Sequence, residues 1–179
     1  MNSSTLIPKK YAQAFLNVFM DKIDLETYKN LLSLSSTLSN HKEIKTFLKL
    51  PQLAAEKKEK FLRSLASIFE LPSCFNSLIS LLVSYKRAAF FQKILSYIIL
   101  IYKNKTGITN FHVKSTVKLT TKQLNSLNSF LAKKINKTVV LSQQVDPSLI
   151  AGIRAQSDHY LWEYSIAEKL RTVNMSPME

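Results

Sequence analysis

The side chains best suited to chemistry in this sequence are its three histidines, its single cysteine and its carboxylates. The histidines, His41, His112 and His159, fall in different predicted elements, and none has a metal-ligand spacing to Cys74 or to another histidine. The acidic residues are interleaved with lysines on predicted helices, a pattern typical of a solvent-exposed face. We therefore expect no metal, no cofactor and no catalytic residue in this chain.

Composition narrows the classes of function further. The 179 residues include only two glycines, far below the roughly 7% of an average protein, which excludes a glycine-rich nucleotide loop. A single cysteine cannot form an internal disulfide, and the longest uncharged run, 71–85, is shorter than the roughly 20 residues of a membrane span. The formal net charge of +13 is dispersed along the chain and suggests an acidic partner, a nucleic acid or an anionic membrane surface.

The first 105 positions read as helices, because apolar side chains recur there at intervals of three and four. Breaks at Asn40, Pro51 and Pro72 divide them into helical segments joined by short connections, as in a bundle. The predicted segments are 8–20, 25–38, 42–48, 53–69, 73–85 and 88–105. Gly107 is expected to end the last segment in the left-handed cap conformation.

From Thr109 the apolar period changes to two, which predicts a half-buried strand. The buried face of this strand is expected to carry Phe111, Val113, Val117 and Leu119. A capping box of Thr120 and Gln123 then opens a helix that ends near Ile135. A second strand follows, and its alternating apolar residues are Val139, Leu141 and Val145.

The last part of the chain reads as a turn, a pair of strands and a helix. Asp146 and Pro147 predict the turn, and 152–157 and 160–162 predict paired strands around a short connection. Ser165 and Glu168 form the sequence pattern that caps a final helix.

Gly152 is one of the two glycines, and it lies where the turn meets the first of these strands. A glycine there permits backbone angles, or a close backbone approach, that a β-carbon would obstruct. Taken together, the patterns predict an α+β protein with an N-terminal six-helix bundle at 1–105 and a small α+β domain at 109–179.

The first helix has an unusually wide apolar surface. At about 100° per residue its apolar side chains cover about 240°, whereas an ordinary core-facing stripe is a little over about 100° wide. The helix therefore either lies centrally in its bundle or uses a second face for a partner. The fifth segment is over-apolar as well, so the two helices either flank a groove for an amphipathic helix or form a tightly packed core.

Several motifs occur in an order and spacing that carry a family resemblance. "YAQAF" at 11–15 is similar to a first-helix YAxAL pattern, and Pro51 followed by Lys58 is similar to FLxxP with a lysine seven positions later. Arg87 stands where an arginine closes the fifth helix. "VDPSLIAGIRAQSDHYLWEYSIAEKL" is similar, without a gap, to DPSLIGGxxxxxGDxxxDGSVxxxL. In these features the chain resembles the delta subunits of F-type ATP synthases, the family of the mitochondrial oligomycin-sensitivity-conferring protein.

The resemblance implies a non-catalytic stator subunit. The N-terminal bundle would hold the amphipathic N-terminal helix of an alpha subunit between its first and fifth helices, and the C-terminal domain would hold the b subunits of the peripheral stalk. The partner-binding residues implied are Tyr11, Ala14, Phe15, Val18, Leu78 and Leu82. The structural residues implied are Arg87, Asp146, Pro147, Gly152 and Ser165. Membrane association would be indirect, at the cytoplasmic face of a bacterial membrane or inside an organelle.

The chain departs from the family pattern at several positions. Ser77 and Tyr85 replace asparagines near the expected groove. In the last motif the departures are Ala151, Asp158, His159, Glu163 and Tyr164. The rival interpretation is a nucleic-acid-binding protein, suggested by the pI of 9.8, but the lysines are dispersed and no basic run has interleaved aromatics. A small helical enzyme is a further alternative, for which no convergent polar cluster is visible.

Overall fold

The protein divides into two compact units, Met1–Lys105 and Thr106–Glu179, in the computed structural model, which describes residues 3–50 and 54–175. Helices predominate, and the second unit adds a four-stranded sheet, so the predicted α+β class is confirmed. Pro51, one of the predicted helix breaks, lies outside the described residues.

Six α-helices occur in the described part of the first unit. They are α1 Ser3–Phe19, α2 Leu25–Asn40, α3 Lys42–Lys49, α4 Ala55–Ile68, α5 Cys74–Ser84 and α6 Phe91–Thr106. A 3-10 turn at Met20–Lys22 follows α1, and another at Ala88–Phe90 precedes α6. The first helix begins earlier than the predicted start at Pro8, which therefore lies inside it. A proline near a helix start removes only one intrahelical hydrogen bond.

The core of the first unit is built from large side chains with no exposed surface. Among them are Leu16, Tyr28, Leu31, Leu34, Phe75, Ile79, Leu82, Phe91 and Ile94. One polar contact ties the unit together where α6 passes the end of α1: the Tyr102 hydroxyl donates to the Ile23 carbonyl oxygen at 2.7 Å. Burial raises the pKa of that Tyr102 hydroxyl.

The second unit is a four-stranded sheet with two helices. Its elements are β1 Thr109–Ser115, α7 Thr121–Ile135, β2 Val139–Val145, β3 Gly152–Gln156, β4 Leu161–Ser165 and α8 Ile166–Met175, with a 3-10 turn at Pro147–Leu149. The strand order is β2-β1-β3-β4. β1 pairs parallel with β2 and antiparallel with β3, and β3 pairs antiparallel with β4. The predicted pairing of the last two strands is confirmed.

One apolar cluster holds α7 against the sheet. Its buried members are Phe111, Val113, Leu119, Leu127, Leu131, Val139 and Ala155. Val117 was expected on this face but is exposed, because β1 ends at Ser115, whose hydroxyl donates to the Val117 carbonyl at 2.7 Å. Val145 is exposed as well, since β2 leaves the core before its last residue.

Two local predictions about helix ends are confirmed. The Thr120 hydroxyl accepts from the Gln123 amide at 3.4 Å, and the Gln123 side chain accepts from the Thr120 amide at 2.8 Å, which completes the capping box at the start of α7. Gly107 follows the last residue of α6 with φ +68°, in the left-handed region.

Candidate partner-binding groove

The wide apolar surface of α1 is shared between the core and an open groove. Ala12 and Leu16 point into the core and have no exposed surface. Tyr11, Ala14 and Phe15 line a groove on the neighbouring face. The sequence left two roles open for α1, a central position in the bundle or a second face for a partner. The helix packs centrally and also presents a second apolar face.

The groove lies between α1 and α5, which run antiparallel. Phe15, one turn before the end of α1, has its ring centre 4.8 Å from that of Phe75 at the start of α5. Tyr11, one turn earlier on α1, accepts a hydrogen bond from Arg87, which follows the end of α5. The groove has a volume of about 440 Å³. Its lining residues are Tyr11, Ala14, Phe15, Phe19, Ser77, Leu78, Leu81, Tyr85 and Arg87.

Arg87 is fixed at one end of the groove by the way α5 terminates. Lys86 has φ +56°, and the Arg87 amide donates back to the Leu82 carbonyl at 2.7 Å, as in a Schellman turn. The Arg87 Nη1 donates to the Tyr11 hydroxyl at 2.7 Å. Its guanidinium carbon lies 5.6 Å from the Tyr11 ring centre and 5.8 Å from that of Tyr85, within cation–π range.

Four of the six residues implied as partner-binding meet in this groove: Tyr11, Ala14, Phe15 and Leu78. Val18 is 70% exposed but is not among the lining residues. Leu82 has no exposed surface, because it faces the core with Ile79, so its side chain is not available to a partner.

Sequence reasoning missed other residues of the groove. Phe19 and Leu81 line it, and Leu81 is 42% exposed. Helical spacing in the sequence could have identified both residues. Phe19 follows Phe15 by one turn, and their ring centres lie 5.2 Å apart. Leu81 follows Leu78 by three positions. Ser77 and Tyr85, two departures from the family pattern, lie directly in the groove.

Lys58 of the family-like motif has a structural contact. Its ammonium donates to the carbonyl oxygen of Leu50, just after α3, at 2.6 Å. A cation at the carboxyl end of a helix is favoured by the helix dipole.

In the second unit, the Asp146–Pro147 turn is held by the Asp146 carboxylate. Its Oδ1 accepts from the Ser148 amide at 3.1 Å and from the Ser148 hydroxyl at 2.6 Å, and its Oδ2 accepts from the Lys114 ammonium at 3.0 Å. The Ser148 and Lys114 hydrogen bonds lower the pKa of Asp146 to about 2. Pro147 follows as the first residue of the 3-10 turn, where its missing amide hydrogen costs nothing.

The turn leads into Gly152 through a strained residue. Ile150 has φ +63° and ψ −57°, and the Ala151 amide donates to the Leu149 carbonyl at 2.7 Å, so Ile150 is the centre of a tight γ-turn. Gly152 has φ +110°, and a Cβ placed on it would lie 2.7 Å from the Ser165 Cα. The backbone angles of Gly152 and the close approach of another backbone therefore both require a residue without a β-carbon at this position, as the sequence suggests.

Ser165 and Glu163 join β4 to α8. The buried Ser165 hydroxyl accepts from the Glu168 amide at 3.0 Å and donates to Glu163 at 2.7 Å. Glu163, whose side chain is 7% exposed, also accepts from Arg171 at 2.7 Å and lies 3.6 Å from Arg154 Nε. The end of the sheet and the final helix are thus tied by one carboxylate.

The remaining departures have local explanations. The connection around Asp158 and His159 closes with a hydrogen bond from the Ser157 amide to the Tyr160 carbonyl at 2.8 Å. Neither Asp158 nor His159 has a positive φ, so the turn forms without placing either residue in the left-handed conformation. Tyr164 is exposed, and the Lys169 ammonium lies 5.1 Å from its ring centre.

Nothing in the described residues supports metal or nucleophilic chemistry. They contain no cluster of three metal-ligating side chains. Cys74 is buried, and burial raises the pKa of its thiol, which disfavours the reactive thiolate. No helix in the described ranges is both long and apolar enough to cross a membrane.

Comparison with known proteins gives the family. The sequence profile of the ATP synthase delta (OSCP) subunit family matches residues 7–176. The chain belongs to this family. ATP synthase subunit delta of Oceanobacillus iheyensis is 26% identical over 178 residues, covering 97% of this chain and 96% of that protein. The Rickettsia conorii protein of the same name is 29% identical over 175 residues, covering 97% and 94%.

The same fold occurs in a solved structure. A chain of the Toxoplasma gondii mitochondrial ATP synthase hexamer superposes with a TM-score of 0.59 at 18% identity, covering 96% of this chain and 98% of that chain. As a member of the delta (OSCP) family, the protein is a non-catalytic stator subunit of an F-type ATP synthase. The rival interpretation, a nucleic-acid-binding protein, finds no support in these comparisons.

Proposed function

We propose that this subunit links the catalytic head of the synthase to the peripheral stalk through two separate contacts. The six helices of the first unit form a bundle whose groove binds the amphipathic N-terminal helix of an alpha subunit. The second unit binds the b subunits of the stalk. By holding both, the protein keeps the head from turning with the rotor, so that rotation drives ATP synthesis at sites on other subunits.

The observation that carries the first contact is the groove itself. It is open, its walls are mainly apolar, and α1 lines it with the exposed Ala14 and the half-buried Tyr11 and Phe19 as well as the buried Phe15. A groove between two helices, lined by residues at helical spacing, suits an amphipathic helix that lays its apolar face into it. The small Ala14 side chain leaves room for that helix to approach.

The second contact is supported by apolar side chains left exposed near the end of the chain. Ile166 and Leu170 lie one turn apart on α8, and both are about half exposed. The Ile166 amide donates to the Ala151 carbonyl at 2.9 Å, and Ile150, the residue before Ala151, is exposed as well. Exposed apolar residues that cluster in this way mark interaction surfaces.

The place of the protein in the cell follows from this role. It associates with the membrane through its partners, at the cytoplasmic face of a bacterial membrane or in the interior of an organelle. Its positive charge of +13 is dispersed along the sequence, and we assign the protein no nucleic-acid partner.

Affinity capture from membranes of the source tests the proposal. Tagged protein should recover alpha, beta and b subunits together. A variant blocked at Ala14 should recover b subunits without alpha and beta, because the two contacts are independent. If the variant blocked at Ala14 still recovered alpha and beta, the groove would not be the alpha-binding site. If b subunits were not recovered, the proposed stalk contact would be wrong.

A further inference from the structure

Each end of the α1–α5 groove carries a cation beside an aromatic ring. At one end the Arg87 guanidinium carbon lies 5.6 Å from the centre of the Tyr11 ring. At the other end the Lys22 ammonium lies 5.5 Å from the centre of the Phe19 ring. Both rings line the groove, as does Arg87, whereas Lys22 lies just beyond the lining residues at the Phe19 end. A ligand that extends along the groove past Phe19 would therefore meet a positive charge at either end.

Neither cation forms an ion pair with a carboxylate in the part of the chain that the structure describes. Among the described residues no carboxylate lies within 4.0 Å of Arg87 or Lys22, and no acidic side chain lines the groove. The Arg87 hydrogen bond goes to the Tyr11 hydroxyl, and the guanidinium has further N–H donors that can bind a ligand. Anionic groups on the ligand would therefore complement these two positive charges.

The spacing of the two ends matches a short stretch of helix. Tyr11 and Phe19 are eight positions apart on α1, which separates the two ends by about 12 Å at 1.5 Å per residue. On a second helix lying in the groove, positions i and i+7 are about 10.5 Å apart and lie on the same face. The apolar positions i+3 and i+4 fall between them, over the wall formed by Phe15 and Leu78.

Resting on the proposed function, in which the groove holds an amphipathic helix, we propose that this helix carries a carboxylate at each end of its apolar stripe, about two turns apart, which pairs with Arg87 and Lys22. Apolar burial supplies most of the affinity. The two charge pairs determine which helices bind and in which register, because a helix shifted by one turn loses both pairs.

Matched synthetic peptides test this pairing on the full-length protein. Two amphipathic peptides share one apolar stripe and differ only in having Glu or Gln at positions i and i+7, residues of similar helix propensity. Their dissociation constants are measured by fluorescence anisotropy against the wild type, Arg87→Gln, Lys22→Gln and the double variant. Lys29→Gln, an exposed lysine on α2, removes the same charge away from the groove and serves as the control.

The wild type should bind the Glu peptide more tightly than the Gln peptide by about two- to fivefold per pair, as for partly exposed ion pairs. Each single variant should lose one pair, and the double variant should bind the two peptides equally. Lys29→Gln should behave as the wild type. Raising the salt from about 0.1 M to about 1 M should remove most of the difference, because the Debye length falls from about 10 Å to about 3 Å.

Equal affinity of the two peptides for the wild type at low salt would overturn the inference, as would a Glu preference that persists in the double variant. Failure of both peptides to bind would also overturn it, since the apolar stripe and the flanking charges are all that it requires. The proposed function is judged separately, by capture of the natural alpha subunit and its loss when Ala14 is blocked.

Discussion

The carbonyl oxygen of Tyr164 occupies the space that a Cβ on Gly152 would need. Gly152 pairs with Ser165 at the last rung of the β3–β4 ladder, and the backbones approach there more closely than a side chain allows. The φ of +110° at Gly152 adds a second restriction that L-residues rarely satisfy. This close approach of Gly152 to β4 lies where the chain passes from the Asp146 turn into the sheet. It therefore fixes the position of that end of the second unit.

Gly152→Val should therefore destabilise the second unit by about 3 kcal/mol or more, because backbone strain of about 1–3 kcal/mol adds to the overlap with β4. The measurement is denaturant unfolding followed by the fluorescence of Trp162, the single tryptophan, which packs against the core of this unit. The variant should lose binding to b subunits and keep binding to the alpha helix.

Gly107→Ala provides the matched control. Gly107 has φ +68°, but no atom lies within 4 Å of the place of its Cβ. Its replacement should cost only the left-handed strain, about 1–2 kcal/mol. Gly152→Ala adds the same single Cβ and is compared with Gly107→Ala directly. If both variants lowered the free energy of unfolding by the same amount, the overlap with the Tyr164 carbonyl would be easily relieved.

Ala14→Lys should abolish binding of the alpha subunit's N-terminal helix without unfolding the protein. Ala14 is exposed and lines the groove, so a long charged side chain blocks the groove and disturbs no core contact. Gln13→Lys, an exposed position of the same helix that does not line the groove, should bind as the wild type. Circular dichroism measures the helical content, and peptide binding measures the affinity of the groove. A loss of helical signal in Ala14→Lys would show that this residue belongs to the core.

Features set by neighbouring residues were predictable from the sequence. The capping box of Thr120 and Gln123 and the left-handed Gly107 depend on a few adjacent positions, and both form as expected. The period of two after Thr109 likewise identified β1, although it could not show that the strand stops at Ser115, where the side chain turns to the Val117 carbonyl.

Features set by packing between helices were less predictable. A helical wheel showed that α1 has too much apolar surface for one core face, but it could not say where the core ends and the groove begins. The resemblance implies Leu82 as a contact residue, whereas α5 turns Leu82 inward and exposes its neighbour Leu81. The choice between them depends on the rotation of α5 against α1, which the sequence does not encode locally.

Glu163→Gln should destabilise the second unit by about 2–3 kcal/mol, because hydrogen bonds to a charged, nearly buried group are worth more than neutral ones. The change removes the charge that Arg171 and Arg154 share, and leaves Arg154 Nε, which is buried without a hydrogen-bond partner, also without its counter-ion. Trp162 fluorescence during denaturation gives the free energy of unfolding.

Arg171→Gln is the comparison for Glu163→Gln. The Arg171 side chain is 58% exposed, so its loss should cost less than about 1 kcal/mol. If Arg171→Gln proved as damaging as Glu163→Gln, the contact with Arg154 would contribute nothing, and the final helix alone would account for the role of Glu163.

Asp146 should make the stability of the second unit depend on pH at acidic values. Its pKa is about 2 in the folded protein, against about 3.9 for an unfolded aspartate. Because the folded pKa is the lower one, the unfolded chain takes up the proton first as the pH falls. The stabilisation from charged Asp146 is thus complete above about pH 5, declines as the pH falls through about 4 toward 2, and is absent below that range.

Thermal unfolding of the wild type and Asp146→Asn, followed by Trp162 fluorescence, measures this contribution. Asparagine keeps the shape and one acceptor oxygen but removes the charge that Lys114 and Ser148 contact. The melting temperature of the wild type should exceed that of the variant at pH 7, and the difference should shrink steadily between about pH 4 and about pH 2. Asp21→Asn removes an exposed charge from the first unit and should leave this Trp162 transition unchanged. A difference that stays constant down to pH 2 would mean that the side-chain geometry of Asp146, and not its charge, holds the turn.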